Sequence, residues 1–235
     1  MKKIILLAGL TALLFTACDK EKRECPSSAE QTFTLTGFSK IKAGETFKLT
    51  ILKGNNFSIK ATGCSNDLSD LDLTVGNGNM LEIRYKNYKR GRYRVNFTIT
   101  LPSFNFLSLS GDAAATVSGF TGQNSVIRYV LSGNSTADNN GTGINANIEL
   151  SGASSLRLSG NTESLYGNIS GNATLQAYEL AATEVDIVAS GTSKAWVKPV
   201  QAIYAEASGE ARVYYRGNPP TTAFSTSGNG RIIKE

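Results

Sequence analysis

The sequence contains no histidine, and it has only three cysteines and one tryptophan among its 235 residues. Without histidine the chain cannot build a Ser-His-Asp triad, a Cys-His nucleophile pair, a His-ligated metal centre or a histidine general base. Its hydrophobic residues make up 40% of the total, which is enough for a sizeable core. The composition therefore favours binding or structural roles over most enzymatic chemistry.

The N-terminus has the plan of a bacterial secretory signal. Two lysines precede an apolar run over residues 4–15, which is too short for a stable membrane-spanning helix. Residues 15–18 resemble a lipobox, although Phe15 stands where leucine is usual. The sequence predicts a signal peptide over residues 1–17 and a lipid-modified Cys18 that anchors the mature chain to a membrane. The alternative is a plain secretory signal in which Cys18 has no role.

Residues 18–30 are charged, then small and polar, and show no apolar periodicity. We interpret them as a flexible tether that leads to one folded domain over residues 31–235. With Cys18 lipidated, Cys25 and Cys64 remain in an oxidising compartment and could pair. We favour the simpler interpretation, which is one thiol in the tether and one buried thiol.

The dipeptide Ser-Gly recurs through the rest of the chain. Its occurrences are Ser110-Gly111, Ser132-Gly133, Ser151-Gly152, Ser170-Gly171, Ser190-Gly191, Ser208-Gly209 and Ser227-Gly228. Spacings of 18 to 22 residues indicate a repeat architecture. A period of about 19 residues without helical punctuation predicts a β-solenoid in which each coil pairs with the last through parallel strands.

Aligning the coils on this serine gives a test of the prediction. The residues one and three before the serine and five after it are mostly apolar, and the residues between them are mostly polar. This alternation has a period of two, which is typical of strands with one face in a core. The glycine of each pair supplies the backbone freedom that a corner needs.

Residues 31–101 differ from the repeats because their alternating segments are longer and are separated by glycine-rich turns. We expect these segments to begin the same solenoid and to cap its first coil, since an open sheet edge promotes aggregation. No polar linker separates the two parts, so the sequence favours one continuous domain.

The order of motifs resembles a known family. Residues 99–102 (Ile-Thr-Leu-Pro) precede residues 107–111 (Leu-Ser-Leu-Ser-Gly), and the Ser-Gly repeats follow. This pattern is similar to the bacterial head GIN domain family of auto-transporter adhesins over residues 33–233. The resemblance implies an all-β fold, a single-stranded right-handed parallel β-helix with a strand-rich N-terminal cap. It also implies a surface or periplasmic lipoprotein with an adhesive role, and it supplies no catalytic residues.

The outward positions of the last three coils are basic and aromatic, unlike those of the earlier coils. The candidate ligand-binding residues on this face are Lys194, Trp196, Arg212, Tyr214 and Arg231. Aromatic rings stack on sugar rings, and cations pair with carboxylate, sulfate or phosphate. The alternative interpretation is an ordinary exposed sheet, where such side chains are common.

Positive charge is concentrated early in the chain. Residues 1–100 carry 16 Lys and Arg against 9 Asp and Glu, whereas residues 101–235 carry 8 against 10. A cluster of lysine, arginine and tyrosine at residues 85–94 could attract an anionic membrane or polysaccharide. A solvated hairpin loop is the simpler interpretation. No nucleic-acid partner is expected, because no nucleic-acid-binding motif accompanies the charge.

Three functions remain open at this point. The leading hypothesis is a non-enzymatic cell-envelope lipoprotein, anchored in the outer membrane, that binds a glycan or a surface protein through the outer face of the β-helix. The second is a structural or regulatory envelope module that self-associates through strand edges. The third is a polysaccharide-cleaving enzyme that uses Glu163 and Glu184, which lie at nearly equivalent places on neighbouring coils. The sequence predicts no metal and no cofactor.

Overall fold

The computed structural model describes residues 24–235, which form eighteen β-strands and one helical turn, α1 (Ser65–Leu68). The strands of the repeat region are β8 (Phe106–Leu109), β9 (Ala114–Ser118), β10 (Gln123–Leu131), β11 (Thr136–Asn140), β12 (Gly143–Leu150), β13 (Ser155–Ile169), β14 (Thr174–Ala189), β15 (Lys194–Ala207), β16 (Arg212–Tyr215), β17 (Thr221–Thr226) and β18 (Arg231–Lys234). They form a β-solenoid of about seven turns, which confirms the predicted fold class.

Each coil contributes to two parallel ladders, which we call the front sheet and the back sheet. The front sheet contains β9, β11, β16, β18 and the first parts of β13, β14 and β15. The back sheet contains β8, β10, β12, β17 and the second parts of β13, β14 and β15. Each Ser-Gly pair lies in the turn that leads from the back sheet of one coil to the front sheet of the next.

The alternation in the sequence decides which side chains enter the core. Leu156 and Leu158 are buried, whereas Arg157 between them is exposed, because successive side chains of a strand point to opposite faces. The same rule buries the residue that precedes the serine in six successive coils, each with 2% or less of its surface exposed. These residues are Leu109, Leu131, Leu150, Ile169, Ala189 and Ala207. The apolar ladders that the sequence predicts are therefore confirmed in these coils.

The Ser-Gly turns stack directly on one another. Asn172 N donates a hydrogen bond to Gly152 O at 2.8 Å, and Ser170 Oγ donates one to Leu150 O at 3.3 Å. Gly171 has a φ of 70°, which is the left-handed region that glycine adopts without steric cost. The serines of the repeat thus bond to the backbone of the preceding coil, as expected for corner residues.

The N-terminal strands form the predicted cap. They are β1 (Ser28–Phe33), β2 (Lys40–Ala43), β3 (Lys48–Lys53), β4 (Ser58–Cys64), β5 (Leu71–Gly76), β6 (Met80–Tyr85) and β7 (Asn96–Leu101). Strands β2 and β3 pair in parallel with β8 and β9 on one side and with β6 and β7 on the other. The coil of β2 and β3 therefore lies between two coils that come later in the chain. Antiparallel strands β4 and β5 then pair with β7 and β6, and β1 pairs with β4.

The structure corrects the interpretation of the cysteines. Cys25 and Cys64 form a disulfide with a Cα–Cα distance of 5.5 Å, so the expectation of two free thiols is wrong. The pairing follows from β1, whose first residue Ser28 lies opposite Cys64 in the antiparallel ladder. Ordered structure thus begins inside the range assigned to the tether. Cys18 and the signal peptide lie outside the described residues.

The last described coil, β17 and β18, has no capping strands among residues 24–235, in contrast to the first coils. Among the described strands, β17 pairs only with β15 and β18 only with β16, so each leaves one edge unpaired. No other described strand stacks on this coil, and Phe224 in its inward ladder position is 45% exposed. Among residues 24–235, no helix has both the length and the apolar character that crossing a membrane requires.

Candidate functional site

The front sheet brings the five predicted ligand-binding residues together on its outward face. Lys194, Arg212 and Arg231 lie in register on β15, β16 and β18 and form one row of exposed cations. Trp196 and Tyr214 form a second row beside it, two residues further along the same strands. Adjacent parallel strands are about 4.8 Å apart, so the two rows make one continuous surface.

The aromatic row is a flat stack. The ring centroids of Trp196 and Tyr214 are 5.2 Å apart, and the two ring planes differ by 8°. Tyr214 lies on the coil that follows β15 and therefore covers the C-terminal face of the indole. The other face of Trp196 is directed toward the preceding coil, where the residue in register is Gln176.

A groove of about 290 Å³ opens on that side of Trp196. Its lining residues are Arg157, Leu158, Gln176, Tyr178, Glu179 and Trp196. Leu158 is buried and forms part of the floor, whereas Arg157, Gln176 and Glu179 are exposed. The groove thus combines one aromatic wall with a cation, an amide and a carboxylate. This is the composition expected of a shallow site for a polar ligand with an apolar face.

The groove exists because β14 carries more residues than its neighbours at this point. The register moves from Arg157↔Gln176 to Ser159↔Glu179, so β14 has one extra residue relative to β13. The next coil, β15, has fewer residues still at this point. The four-residue step from Ala177 to Ala181 in β14 lies opposite the single step from Val197 to Lys198 in β15. The excess residues of β14 bulge outward and place Tyr178 and Glu179 at the groove wall. Such bulges commonly redirect side chains at functional sites.

Sequence reasoning missed Tyr178 and Glu179, although a trace of the bulge is present in the spacing. The interval between Ser170 and Ser190 is 20 residues, and the next interval is 18, so one long coil is followed by one short coil. Alignment on the serine keeps the two coils in register through Gln176 and Trp196, and the difference in length falls just beyond these positions. Arg157, Gln176 and Trp196 each lie six residues after a repeat serine, so the alignment of the coils already predicts their common outward row.

The C-terminal residue supports the groove wall. Tyr178 donates a hydrogen bond from its hydroxyl to Glu235 Oε2 at 2.9 Å, and the Arg216 guanidinium lies 4.0 Å from the centre of the Tyr178 ring. Arg216 also forms an ion pair with Glu235 at 3.1 Å. Burial, together with the Glu235 carboxylate, raises the pKa of the Tyr178 hydroxyl, so it stays protonated and remains a donor. These contacts fix the ring orientation.

The structure does not align the two carboxylates considered for catalysis. Glu184 is in register with Ser164, so Glu163 and Glu184 are offset by one position rather than stacked. Glu163 lines a separate depression of about 560 Å³ at the opposite corner of the coils, among threonine and glycine residues. Within residues 24–235, no group of three or more Cys, Asp or Glu side chains converges in a way that could hold a metal ion.

The structure is thus a β-solenoid whose outer face carries a row of cations, a stacked aromatic pair and a groove. The family model described as putative auto-transporter adhesin, head GIN domain, matches residues 37–219. The chain belongs to this family, which confirms the resemblance found in the sequence. Membership in an adhesin family indicates a cell-envelope or surface location. No curated protein matches this sequence.

Solved structures share the same fold. A putative adhesin from Bacteroides fragilis superposes with a TM-score of 0.83 at 21% identity, covering 89% of this chain and 98% of that one. A putative lipid binding protein from Parabacteroides distasonis gives 0.73 at 14% identity, covering 89% and 97%. A putative adhesin from the same organism gives 0.68 at 16% identity, covering 88% and 96%. At these identities the likeness concerns the fold alone.

Proposed function

We propose that this protein is a non-enzymatic adhesin that binds a saccharide in the groove beside Trp196. The observation that carries the proposal is the geometry of the indole, which is stacked on Tyr214 on one face and directed toward the groove on the other. A pyranose ring presents an apolar C–H face to such a surface, and its hydroxyls point outward from the ring edge. The stack holds Trp196 in place before a ligand arrives, which lowers the entropic cost of binding.

The polar groups around the groove match the rest of a sugar. Arg157 and Gln176 supply donors for hydroxyl oxygens, and Glu179 supplies an acceptor. The row of Lys194, Arg212 and Arg231 continues the surface and would pair with a carboxylate or sulfate on a neighbouring unit of the glycan. An acidic oligosaccharide therefore fits this face better than a neutral monosaccharide.

A glycan array tests this proposal with the chain over residues 25–235, which contains the disulfide and all the described strands. Trp196→Ala combined with Arg212→Ala should reduce binding by about tenfold or more, through lost stacking and a lost charge-assisted bond. Tyr204→Ala removes an exposed aromatic from the back sheet of the same coil and serves as the matched control. Unchanged thermal unfolding would show that the losses concern binding. Binding by the double variant equal to that of the native chain would contradict the proposal.

The proposal includes export and membrane anchoring through Cys18. The disulfide between Cys25 and Cys64 supports an oxidising compartment, since such bonds are rare in reducing cytosol. We place the anchored domain at the outer membrane, on its periplasmic or cell-surface side. Metabolic labelling with an alkyne analogue of palmitate should tag the native chain and fail to tag Cys18→Ser. Equal labelling of both would contradict the anchor.

Self-association is a second candidate function, favoured by the open C-terminal edge. The unpaired edges of β17 and β18 could pair with the same edges of a second copy, because an antiparallel match about a two-fold axis requires only one surface. Sedimentation of the native chain should then show a concentration-dependent dimer. Ile233→Glu, which places a charge on the last strand, should abolish it. A monomer at all concentrations would contradict this candidate.

A further inference from the structure

The loop that joins β6 to β7, residues 86–95, is held to the cap by a buried arginine. Arg92 forms ion pairs with Asp67, at 3.1 Å, and with Asp70, and its side chain is 6% exposed. The guanidinium also donates to Asn87 O at 2.7 Å and lies 3.6 Å from the centre of the Tyr85 ring. We call residues 86–95 the basic loop.

Further contacts make the conformation of the basic loop specific. Asn87 Nδ2 donates to Asp70 Oδ1 at 2.9 Å, and Tyr93 N donates to Asp67 Oδ2 at 3.0 Å. The hydrogen bonds from Asn87 and Arg92 lower the pKa of Asp70 to about 2, so this carboxylate is ionised throughout the physiological range. The two aspartates thus balance Arg92 and the nearby Lys89, which lies 3.7 Å from Asp70.

The remaining cations of the basic loop face solvent. Lys86, Arg90 and Arg94 are exposed, and no ion pair to any of them is present among the described residues. Lys86 Nζ donates one long hydrogen bond, of 3.4 Å, to Ser69 O. Tyr88, between two of them in sequence, is 82% exposed. The folded loop therefore presents three positive charges without an ion-pair partner and two exposed tyrosine rings, Tyr88 and Tyr93, from a rigid base. Tyrosine combined with Lys and Arg in this way is typical of membrane–water interfaces.

The disulfide places the basic loop at the end of the solenoid where the chain enters. Cys64 directly precedes α1, and α1 carries Asp67, the partner of Arg92. Cys25 is therefore joined to the same corner of the cap as the loop. Cys18 precedes Cys25 by seven residues, which span roughly 25 Å at full extension. An anchor at Cys18 would keep this corner within that distance of the bilayer.

We propose that the basic loop binds the anionic phospholipid headgroups of the membrane, through Arg90 and Arg94 together with Lys86. The proposal rests on the proposed anchor for its orientation, and the loop itself supplies the charge. Contact through the cap would direct the solenoid axis away from the membrane. The ladder from β7 to β15 contains six strand spacings of about 4.8 Å, so the Trp196 groove would stand roughly 29 Å further out.

Vesicle sedimentation tests the loop without the anchor. The chain over residues 25–235 is mixed with phosphatidylcholine vesicles that contain roughly a quarter phosphatidylglycerol, at low and high salt. A cation at an anionic surface contributes about fivefold to binding, so Arg90→Gln with Arg94→Gln should weaken binding roughly 25-fold. Lys198→Gln with Lys234→Gln removes the same charge from coils remote from the cap and should leave binding within about twofold.

The outcomes separate this proposal from its alternatives. Salt-sensitive binding that only the loop variant loses supports the proposal. Failure of the native chain to bind these vesicles, equal binding to pure phosphatidylcholine, or equal losses in both variants would overturn it. Binding to dextran sulfate but not to vesicles would assign the loop to polysaccharide instead and would also overturn it. Trp196→Ala should retain vesicle binding, so a failed glycan test and a failed vesicle test are distinguishable.

Discussion

Replacing Gly171 with alanine tests whether the close stacking of the Ser-Gly turns is required for stability. Gly171 has a φ of 70°, a region that costs an L-residue about 1–2 kcal/mol. A Cβ at this position would also lie 2.9 Å from Gly152 O and 3.1 Å from Gly152 N on the preceding coil. Both atoms belong to the backbone and cannot rotate away, so the coils must separate locally. Overpacking of this kind costs about 1–3 kcal/mol more.

Gly37 is the matched control, because it has a φ of 77° and its Cβ would meet no described atom within 4 Å. Gly37→Ala should therefore carry only the backbone cost of about 1–2 kcal/mol, while Gly171→Ala should destabilise by about 2–5 kcal/mol. The reduced entropy of the unfolded chain offsets both changes equally. Urea unfolding followed by far-UV circular dichroism measures the difference. Equal losses would refute the argument that stacking, rather than backbone conformation, restricts the turns to glycine.

Three further predictions address the core, the disulfide and the cap. Leu175→Ala removes a buried side chain and should lower the free energy of unfolding by about 2–5 kcal/mol in the same urea experiment. Gln176→Ala changes the exposed residue next to it and should lower the free energy of unfolding by less than about 0.5 kcal/mol. Cys25→Ser opens a 39-residue loop and should cost up to about 4 kcal/mol, and dithiothreitol should then destabilise the native chain but not the variant. Because the pKa of Asp70 is lowered to about 2, its contribution to stability is present above about pH 4 and is lost as the pH falls toward 2. The midpoint temperature of thermal unfolding should therefore fall more over that pH range for the native chain than for Asp70→Asn.

The repeat region is predictable because its constraint is local and repeated. A residue such as Leu150 is buried by its position relative to the serine, and the same position in six coils gives six independent indications. The strand alternation and the turn glycines therefore fix both the fold class and the outward rows. The placement of Trp196 beside Tyr214 follows from the same register.

The cap and the groove are not predictable in this way, because they depend on pairings without a repeat. Nothing in the order of the N-terminal segments indicates that β2 and β3 lie between coils formed later in the chain. The Cys25–Cys64 disulfide follows from the antiparallel match of β1 with β4, which is a long-range pairing. The wall at Tyr178 follows from a difference in coil length rather than from residue type.

The two proposed surfaces occupy the places where the regular solenoid is interrupted. A uniform coil presents a flat sheet of alternating side chains on the outer face of each ladder. The extra residues of β14 create a groove at Trp196, and the non-repetitive cap creates the basic loop on Arg92. The regular coils between them act as a rigid spacer of roughly 29 Å, since each added strand extends the axis by about 4.8 Å. The two proposals thus assign membrane contact and ligand recognition to separate surfaces, so substitutions at one surface should leave the other intact.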